Sequence, residues 1–117
     1  MYNQIIGKKG EDIATNYLKK CGYKILERNF ECRQGEIDII ALDKNEIVFI
    51  EVKTRTNFKY GMPSEAVTKI KQKHLLKATE YYVYINNLQN DFIRLDVLEI
   101  ILENNNQFTI NHIKQAL

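Results

Sequence analysis

Charged residues interrupt two segments that otherwise have the composition of buried strands. The first segment, 35–40, contains Glu36 and Asp38, and the second, 49–53, contains Glu51 and Lys53. Because side chains alternate between the two faces of a strand, each pair is expected to share a face. Charged side chains are almost never fully buried unless they are paired or bind a ligand. The pattern therefore indicates a candidate site within a predicted sheet.

A hairpin would bring these charges together. The polar residues 43–46 suit a hairpin turn, which would cluster Asp38, Glu51 and Lys53. Carboxylate oxygens are suitable ligands for Mg²⁺ or Mn²⁺, and a neighbouring lysine can orient or deprotonate water or stabilise developing charge. These are the requirements of phosphodiester hydrolysis. The alternative is a cross-strand ion pair, which contributes at most about 1 kcal/mol when exposed.

Glu11 is a further candidate acid. It lies one turn from Gly7 on a predicted first helix and borders the apolar stripe, so it could reach the sheet and add a third carboxylate. The alternative is an ordinary acid near the helix start, where the helix dipole favours negative charge. Glu36 is either an auxiliary ligand beside Asp38 or a residue at the rim of its strand, and the rim interpretation is favoured.

Positive charge is concentrated between residues 53 and 77. The whole chain has a formal net charge of +2, yet this segment contains seven lysine or arginine residues against Glu65 alone. Such a segment next to an acidic cluster predicts a polyanionic partner. The candidates for phosphate contact are Arg55, Lys59, Lys69, Lys73 and Lys77. The last three recur at steps of four and form one column on a predicted helix, for which a solvated surface is the alternative.

His74 and the tyrosines of the long helix are expected to have structural roles, and His112 is isolated near the C-terminus. His74 falls among apolar residues of the predicted long helix, which indicates a packed histidine, and it has no metal-ligand spacing to His112. Tyr81, Tyr82 and Tyr84 close the same helix, and packing explains them more simply than stacking on nucleic-acid bases.

Composition places the chain among ordinary proteins of the cytoplasm. Cys21 and Cys32 show no metal or redox spacing and are expected to be reduced thiols. No secretory segment is recognised at the N-terminus, and no apolar run approaches the roughly 20 residues of a membrane span. Residues 1–117 are expected to form one domain.

The elements that must position the site follow from periodicity and turn residues. A first amphipathic helix has apolar residues at helical spacing from Ile6 to Cys21 and ends at Gly22. After a loop at 55–62, a long helix begins at Pro63 and Ser64 and continues to about residue 84. The predicted strands are 24–32, 36–42, 46–54, 92–102 and 108–113. The long helix has the length of a right-handed crossover, which predicts a mixed α/β sheet with helices packed on it.

Five segments, in the same order, resemble a known small bacterial family. They are residues 10–14, 33–38, 48–55, 60–67 and 94–97. They are similar to the YraN-like family, which is uncharacterised and is usually related to archaeal Holliday junction resolvases. The order Glu11, Asp38 and then Glu51-Val52-Lys53 also resembles the PD-(D/E)XK nuclease superfamily, with Ile37 where the name of that superfamily has a proline.

The resemblance implies a restriction-endonuclease-like α-β-β-β-α-β core, with a mixed central sheet flanked by helices. It further implies that Asp38, Glu51 and the backbone carbonyl of Val52 bind the metal. Glu11 would be the helix-borne acid that adds to this site, and Lys53 would be the catalytic lysine.

The expected function is that of a deoxyribonuclease dependent on Mg²⁺ or Mn²⁺, acting on branched or otherwise structured DNA. Resolvases cut paired strands, so the resemblance is compatible with a homodimer, although the sequence shows no dimer surface. The alternative is a nucleic-acid-binding module that keeps the nuclease fold with little or no catalytic activity. A third interpretation is a protein-interaction domain that binds no nucleic acid.

Overall fold

The protein is an α/β structure, seen in a computed structural model that describes residues 2–56 and 69–116. Its helices are α1 (Tyr2–Lys20) and α2 (Lys69–Ile85), with a short 3-10 helix at Asn104–Asn106. Its strands are β1 (Lys24–Cys32), β2 (Gly35–Asp43), β3 (Glu46–Arg55), β4 (Phe92–Leu102) and β5 (Phe108–Ile113). The predicted order of elements is confirmed, and every predicted strand agrees with the structure to within one residue at each end.

Three boundaries differ from the predictions or cannot be compared. The first helix begins at Tyr2, earlier than its apolar periodicity indicated. Arg55 was expected in a loop but is the last residue of β3, where it pairs with Ile101. The rest of that loop and the predicted helix start at Pro63 lie outside the described residues.

The five strands form one mixed sheet in the order β1-β2-β3-β4-β5. Strands β3 and β4 are parallel and the other neighbours are antiparallel. A parallel pair needs a long crossover connection, and α2 lies between these two strands in the sequence. This arrangement confirms the mixed sheet and agrees with the α-β-β-β-α-β order of elements.

The two helices cover opposite faces of the sheet. Ala14 and Leu18 of α1 pack in one fully apolar cluster with side chains of β2, β3 and β4. Leu75 and Ala78 of α2 pack in a second cluster, which includes Phe49. Within the described residues, no helix is long and apolar enough to cross a membrane.

Local contacts fix the direction of α1. Gly22 has a φ of 91°, and the N–H of Tyr23 donates to the carbonyl of Leu18 at 2.9 Å, which closes the helix as predicted. At Gly10 the helix meets β3 so closely that a Cβ would overlap the side chain of Thr54. The glycine therefore lets α1 bring its neighbouring residue, Glu11, against the end of β3.

A buried ionic network stabilises the end of the sheet that contains the β2–β3 turn. Arg94 donates to both carboxylate oxygens of Asp96, at 2.9 and 3.0 Å, and to the hydroxyl of Tyr23 at 2.7 Å. It also binds Asp43 and Glu46 at the β2–β3 turn, at 3.1 and 2.9 Å. These hydrogen bonds satisfy a charge that would otherwise be costly to bury.

The network extends to β5 and the chain that follows it. His112 lies 2.7 Å from the fully buried carboxylate of Asp96 and 3.1 Å from the hydroxyl of Tyr17. The N–H of Gln115 donates to Asp96 as well, at 3.1 Å. The pKa of Asp96 is lowered because these hydrogen bonds, with that of Arg94, outweigh the effect of burial. The network has a structural role, since its members are already paired with one another.

Candidate active site

The pairing of β2 with β3 ends at Ile39 and Ile50, and a cavity of about 710 Å³ opens beyond it. Both helices and both strands contribute to its wall. The lining residues are Ile6, Gly7, Glu11, Gly35, Glu36, Asp38, Glu51, Val52, Thr54, Arg55, Lys71, His74 and Leu75. The cavity therefore combines the acids of the first half of the chain with cations from β3 and α2.

A break in strand alternation occurs at Asp38. Ile37 packs in the cluster beside α2, whereas Ile39 packs in the cluster beside α1, although strict alternation would place them on one face. On the neighbouring strand Asn29, which lies between the pairs Arg28–Ile39 and Phe30–Ile37, has a φ of 54°. Asparagine tolerates this left-handed conformation better than most residues. Such irregularities commonly redirect a side chain beside a functional site, and here Asp38 lines the cavity.

Asp38 is held by the backbone of β3. The N–H of Val52 donates to its Oδ2 at 2.8 Å. Burial, followed by the negative charge of Glu51, raises the pKa of Asp38 to about 7, and the hydrogen bond from Val52 opposes this shift. The acid form of this carboxyl therefore persists to higher pH than that of an ordinary aspartate.

Glu51 occupies the same cavity. Burial raises the pKa of Glu51, while a hydrogen bond with Asp38 and the positive charges of Lys71 and Lys53 partly stabilise its ionised form. The predicted proximity of Asp38 and Glu51 is present in the structure. Two partly buried carboxyl groups repel each other when both are ionised, and a bound cation would remove that repulsion.

Glu11 reaches the cavity from α1, as its position beside the apolar stripe indicated. Burial and the charge of Asp38 raise the pKa of Glu11, and Arg28 opposes this. The guanidinium of Arg28 lies 3.7 Å from Glu11 and 2.9 Å from Asp12. Arg28 was not predicted as a site residue, and it ties α1 to β1 next to the acids.

Lys53 is close to the acids but is not among the side chains that line the cavity. Burial and the neighbouring ammonium group of Lys71 lower its pKa, and the charge of Glu51 acts in the opposite direction. A lysine with a lowered pKa more readily provides a neutral amine that can accept a proton.

The predicted phosphate-binding residues separate into two groups. Arg55 lines the cavity, whereas Lys69, Lys73 and Lys77 are exposed along α2 and do not line it. Lys59 lies outside the described residues. The cavity is thus reached by only part of the basic segment.

Sequence reasoning missed Lys71, which lines the cavity beside Glu51. Helical periodicity contained the signal, because Lys71 precedes the buried residues Leu75 and Ala78 by four and seven positions. The prediction for His74 was wrong. It is exposed and lines the cavity, and its backbone lies against Gly35. Glu36 is exposed at the cavity wall, in agreement with the rim interpretation.

The carboxyl groups that line the cavity are suitable ligands for a hard divalent cation. Of the described residues, no three His, Cys, Asp or Glu side chains are grouped closely enough to enclose a metal by themselves. Mg²⁺ is commonly held by one or two carboxylates, with water and substrate phosphates completing its shell. Asp38 and Glu51 fit that requirement, and a backbone carbonyl such as that of Val52 is a suitable additional ligand.

Comparison with known proteins places the chain in a family. Residues 10–100 match the sequence model described as "Uncharacterised protein family UPF0102". The chain belongs to the UPF0102 family. The matched region includes the four acids that line the cavity, Glu11, Glu36, Asp38 and Glu51.

The UPF0102 relatives are similar over nearly their whole length. A UPF0102 protein of Clostridium botulinum (strain Hall) is 53% identical over 116 residues, covering 97% of this chain and 94% of the relative. A UPF0102 protein of Caldicellulosiruptor saccharolyticus is 48% identical over 117 residues, covering 99% of both chains. These matches confirm the resemblance to the small bacterial family. Its name assigns no activity, so the chemistry must be argued from the cavity.

Proposed function

We propose that this protein is a metal-dependent endonuclease that hydrolyses phosphodiester bonds in DNA. One observation carries the proposal. Asp38 and Glu51 face each other, partly buried, where two strands separate, with Lys53 and Lys71 beside them. This arrangement offers a cation site in the cavity and, through Lys71 at the cavity wall, positive charge for a phosphate, with Lys53 close to the acids.

Asp38, Glu51 and a backbone carbonyl such as that of Val52 would hold Mg²⁺ or Mn²⁺, with Glu11 as the nearby third acid. Such an ion lowers the pKa of bound water and neutralises charge on a phosphoryl group. The Val52 N–H fixes one oxygen of Asp38 and so limits how that carboxylate can turn.

The cations have separate roles in this proposal. Lys53 orients the attacking water and accepts its proton, which its lowered pKa favours. Arg55 and Lys71 line the cavity, so they are placed to bind non-bridging phosphate oxygens and to stabilise the charge that develops on them. Lys69, Lys73 and Lys77 are exposed along α2 outside the cavity lining and would contact neighbouring phosphates.

The resemblance to the PD-(D/E)XK superfamily supports this assignment. The chain has its order of elements and carries an acid and a Glu-x-Lys motif on adjacent strands. A fold alone does not determine a reaction, and the residues of the cavity carry the assignment. Through the same resemblance we propose branched or otherwise structured DNA as the substrate and a homodimer as the assembly that cuts paired strands.

Replacement of Asp38 by asparagine tests the assignment. Asp38→Asn keeps an oxygen that can accept the Val52 N–H but removes the charge, so we expect cleavage to fall at least about 100-fold while DNA binding survives. Asp91→Asn is the matched control, because Asp91 is exposed in the turn before β4. Cleavage retained by Asp38→Asn would refute the assignment.

A nucleic-acid-binding module without catalytic activity is the second candidate function. It predicts salt-sensitive DNA binding by the parent chain with no cleavage in either metal. The repulsion between Asp38 and Glu51 argues against it, because a surface that only bound phosphates would gain nothing from two buried acids.

A further inference from the structure

A groove beside the candidate active site contains exposed aromatic rings. Its lining consists of Gln34 from the β1–β2 turn and Lys77, Glu80, Tyr81 and Tyr84 from α2. We propose that this groove binds an unpaired DNA strand next to the cleavage site, with bases stacked on Tyr84 and Tyr81. The inference rests on the proposed nuclease function and deepens it, because it specifies a substrate with a single-stranded arm.

The three tyrosines of α2 have different environments. Tyr82 packs against Phe30 and Phe49, with ring centroids 5.1 and 5.6 Å apart, as packing predicted. Tyr84 is 71% exposed, so packing does not account for this ring, whereas Tyr81 is 38% exposed. Tyr81 also lies near Phe30, at 6.4 Å, which limits its rotation. Tyr84 is therefore the main accessible ring.

The charges around the groove suit a DNA strand whose bases turn into the groove. Lys69, Lys73 and Lys77 are exposed along the same helix and can contact successive phosphates. Within the groove, Glu80 offsets the charge of Lys77. Phosphates are consequently better placed along the lysines, and the uncharged base faces are better placed on the tyrosine rings.

The groove and the active-site cavity are lined by residues of the same two elements, α2 and the β1–β2 hairpin. His74 of α2 lines the cavity and Tyr84 lines the groove, and ten residues of helix separate them by about 15 Å. In the β1–β2 hairpin, Gly35 lines the cavity and Gln34 lines the groove. About 15 Å corresponds to roughly four base steps of 3.4 Å. A strand cut in the cavity would thus reach Tyr84 a few nucleotides away.

Stacking on tyrosine discriminates between paired and unpaired DNA. Base faces are covered by their neighbours inside a duplex, whereas an unpaired strand exposes them to aromatic side chains. A groove that combines exposed rings with nearby lysines therefore favours a flap, an overhang or the open arm of a branch over a blunt duplex.

Equilibrium binding of fluorescein-labelled DNA tests the inference. The full chain carrying Asp38→Asn is titrated in Mg²⁺ with a blunt 12-base-pair duplex and with the same duplex bearing a tail of two or six thymidines. We expect the six-nucleotide tail to increase affinity at least about fivefold over the blunt duplex, which is the lower range for one stacked base. The two-nucleotide tail is too short to reach Tyr84 and should behave like the blunt end.

Tyr84→Ala, added to the same chain, should abolish the gain from the six-nucleotide tail and leave blunt-duplex affinity unchanged. Tyr84→Phe should restore the gain, because it keeps the ring. Phe92→Ala is the matched control, since Phe92 is 66% exposed at the start of β4 and does not line the groove. Thermal unfolding confirms that each variant is folded.

The outcomes separate this inference from the proposed function. Affinity for the six-nucleotide tail that is unchanged in Tyr84→Ala would overturn the inference and leave the nuclease assignment standing. An equal loss for blunt and tailed DNA would also overturn it. Absence of cleavage by the parent chain, with a tail preference that depends on Tyr84, would instead overturn the nuclease assignment and retain the groove.

Discussion

At the scale of single residues, the facing carboxyl groups of Asp38 and Glu51 dominate the behaviour of the site. Burial raises the pKa of both, so in the metal-free chain their ionised forms are disfavoured. Either a proton or a divalent cation relieves the repulsion. The stability of the protein should therefore depend on pH and on metal through these two residues.

The sign of the pH dependence follows from the direction of the shift. The pKa of Asp38 is about 7 in the folded chain, against an ordinary value of 3.8. Its contribution to stability is present in full below pH 4 and is lost as the pH rises through 7. Without metal, Asp38→Asn should therefore raise the free energy of unfolding at pH 8 by about 1 to 3 kcal/mol, with a smaller effect at pH 4.5. Urea denaturation measures both values, and an equal destabilisation at the two pH values would contradict this account.

At higher pH a bound metal ion should take the place of the proton in relieving the repulsion between Asp38 and Glu51. At pH 8 we expect saturating Mg²⁺ to raise the melting temperature of the parent chain by at least about 4 °C, which corresponds to roughly 1 kcal/mol for a protein of this size. EDTA should reverse the rise, and Asp38→Asn should show little of it, whereas Asp91→Asn should behave as the parent does. Equal Mg²⁺ stabilisation of parent and Asp38→Asn would place the cation elsewhere.

At the scale of elements, two glycines of α1 offer a matched comparison. A Cβ at Gly10 would overlap Thr54 of β3, whereas a Cβ at Gly7 would meet nothing within 4 Å. Gly10→Ala should cost about 1 to 3 kcal/mol through overpacking, and Gly7→Ala should be neutral or add up to about 1 kcal/mol through helix propensity. Denaturant unfolding of the two variants measures the difference. A similar effect at both positions would show that the close approach of α1 to β3 is absent.

The buried network at the other end of the sheet makes a separate prediction. Arg94→Met leaves Asp96 fully buried without its bidentate partner, so we expect a loss of about 3 to 5 kcal/mol. Lys8→Ala removes an exposed ion pair with Asp12 and should change stability by no more than about 0.5 kcal/mol. Chemical denaturation compares the two. A cost below about 1 kcal/mol for Arg94→Met would contradict the structural role of the network.

At the scale of the whole molecule, the candidate active site and the structural network of Arg94 lie at opposite ends of the sheet. The cavity lies where β2 and β3 separate, and the Arg94 network lies at their turn. Repulsion is concentrated in the cavity, whereas the network contains paired opposite charges. We infer that the Arg94 network makes its end of the sheet rigid. This rigidity helps the other end to hold Asp38 and Glu51 close together.

Much of this arrangement could be predicted from the sequence. Turn residues and apolar runs located all five strands, because those signals are local. Glu36, Asp38 and Glu51 were recognised because charges are unusual inside strand-like segments, and Glu11 because it borders the apolar stripe of the first helix. These predictions needed only the period of a strand and the proximity that a hairpin imposes.

The features that could not be predicted depend on contacts between distant segments. An expectation of strict alternation could not reveal that the side-chain direction reverses at Asp38. On the neighbouring strand, Asn29 has a left-handed backbone conformation. The contact of Arg28 with α1 depends on how the helix crosses the sheet. Residue type alone also could not separate Tyr82, which packs in the core, from Tyr84, which faces solvent.

The most direct test of the central claim is a cleavage assay on duplex, single-stranded and four-way-junction DNA, in Mg²⁺ and then in Mn²⁺. The parent chain is compared with Lys53→Ala and with Lys24→Ala, which replaces an exposed lysine at the start of β1. The account predicts that the parent and Lys24→Ala cleave at least one of these DNAs and that Lys53→Ala is slower by about 100-fold or more. Cleavage by Lys53→Ala at the parental rate, or no cleavage of any DNA by the parent, would contradict it.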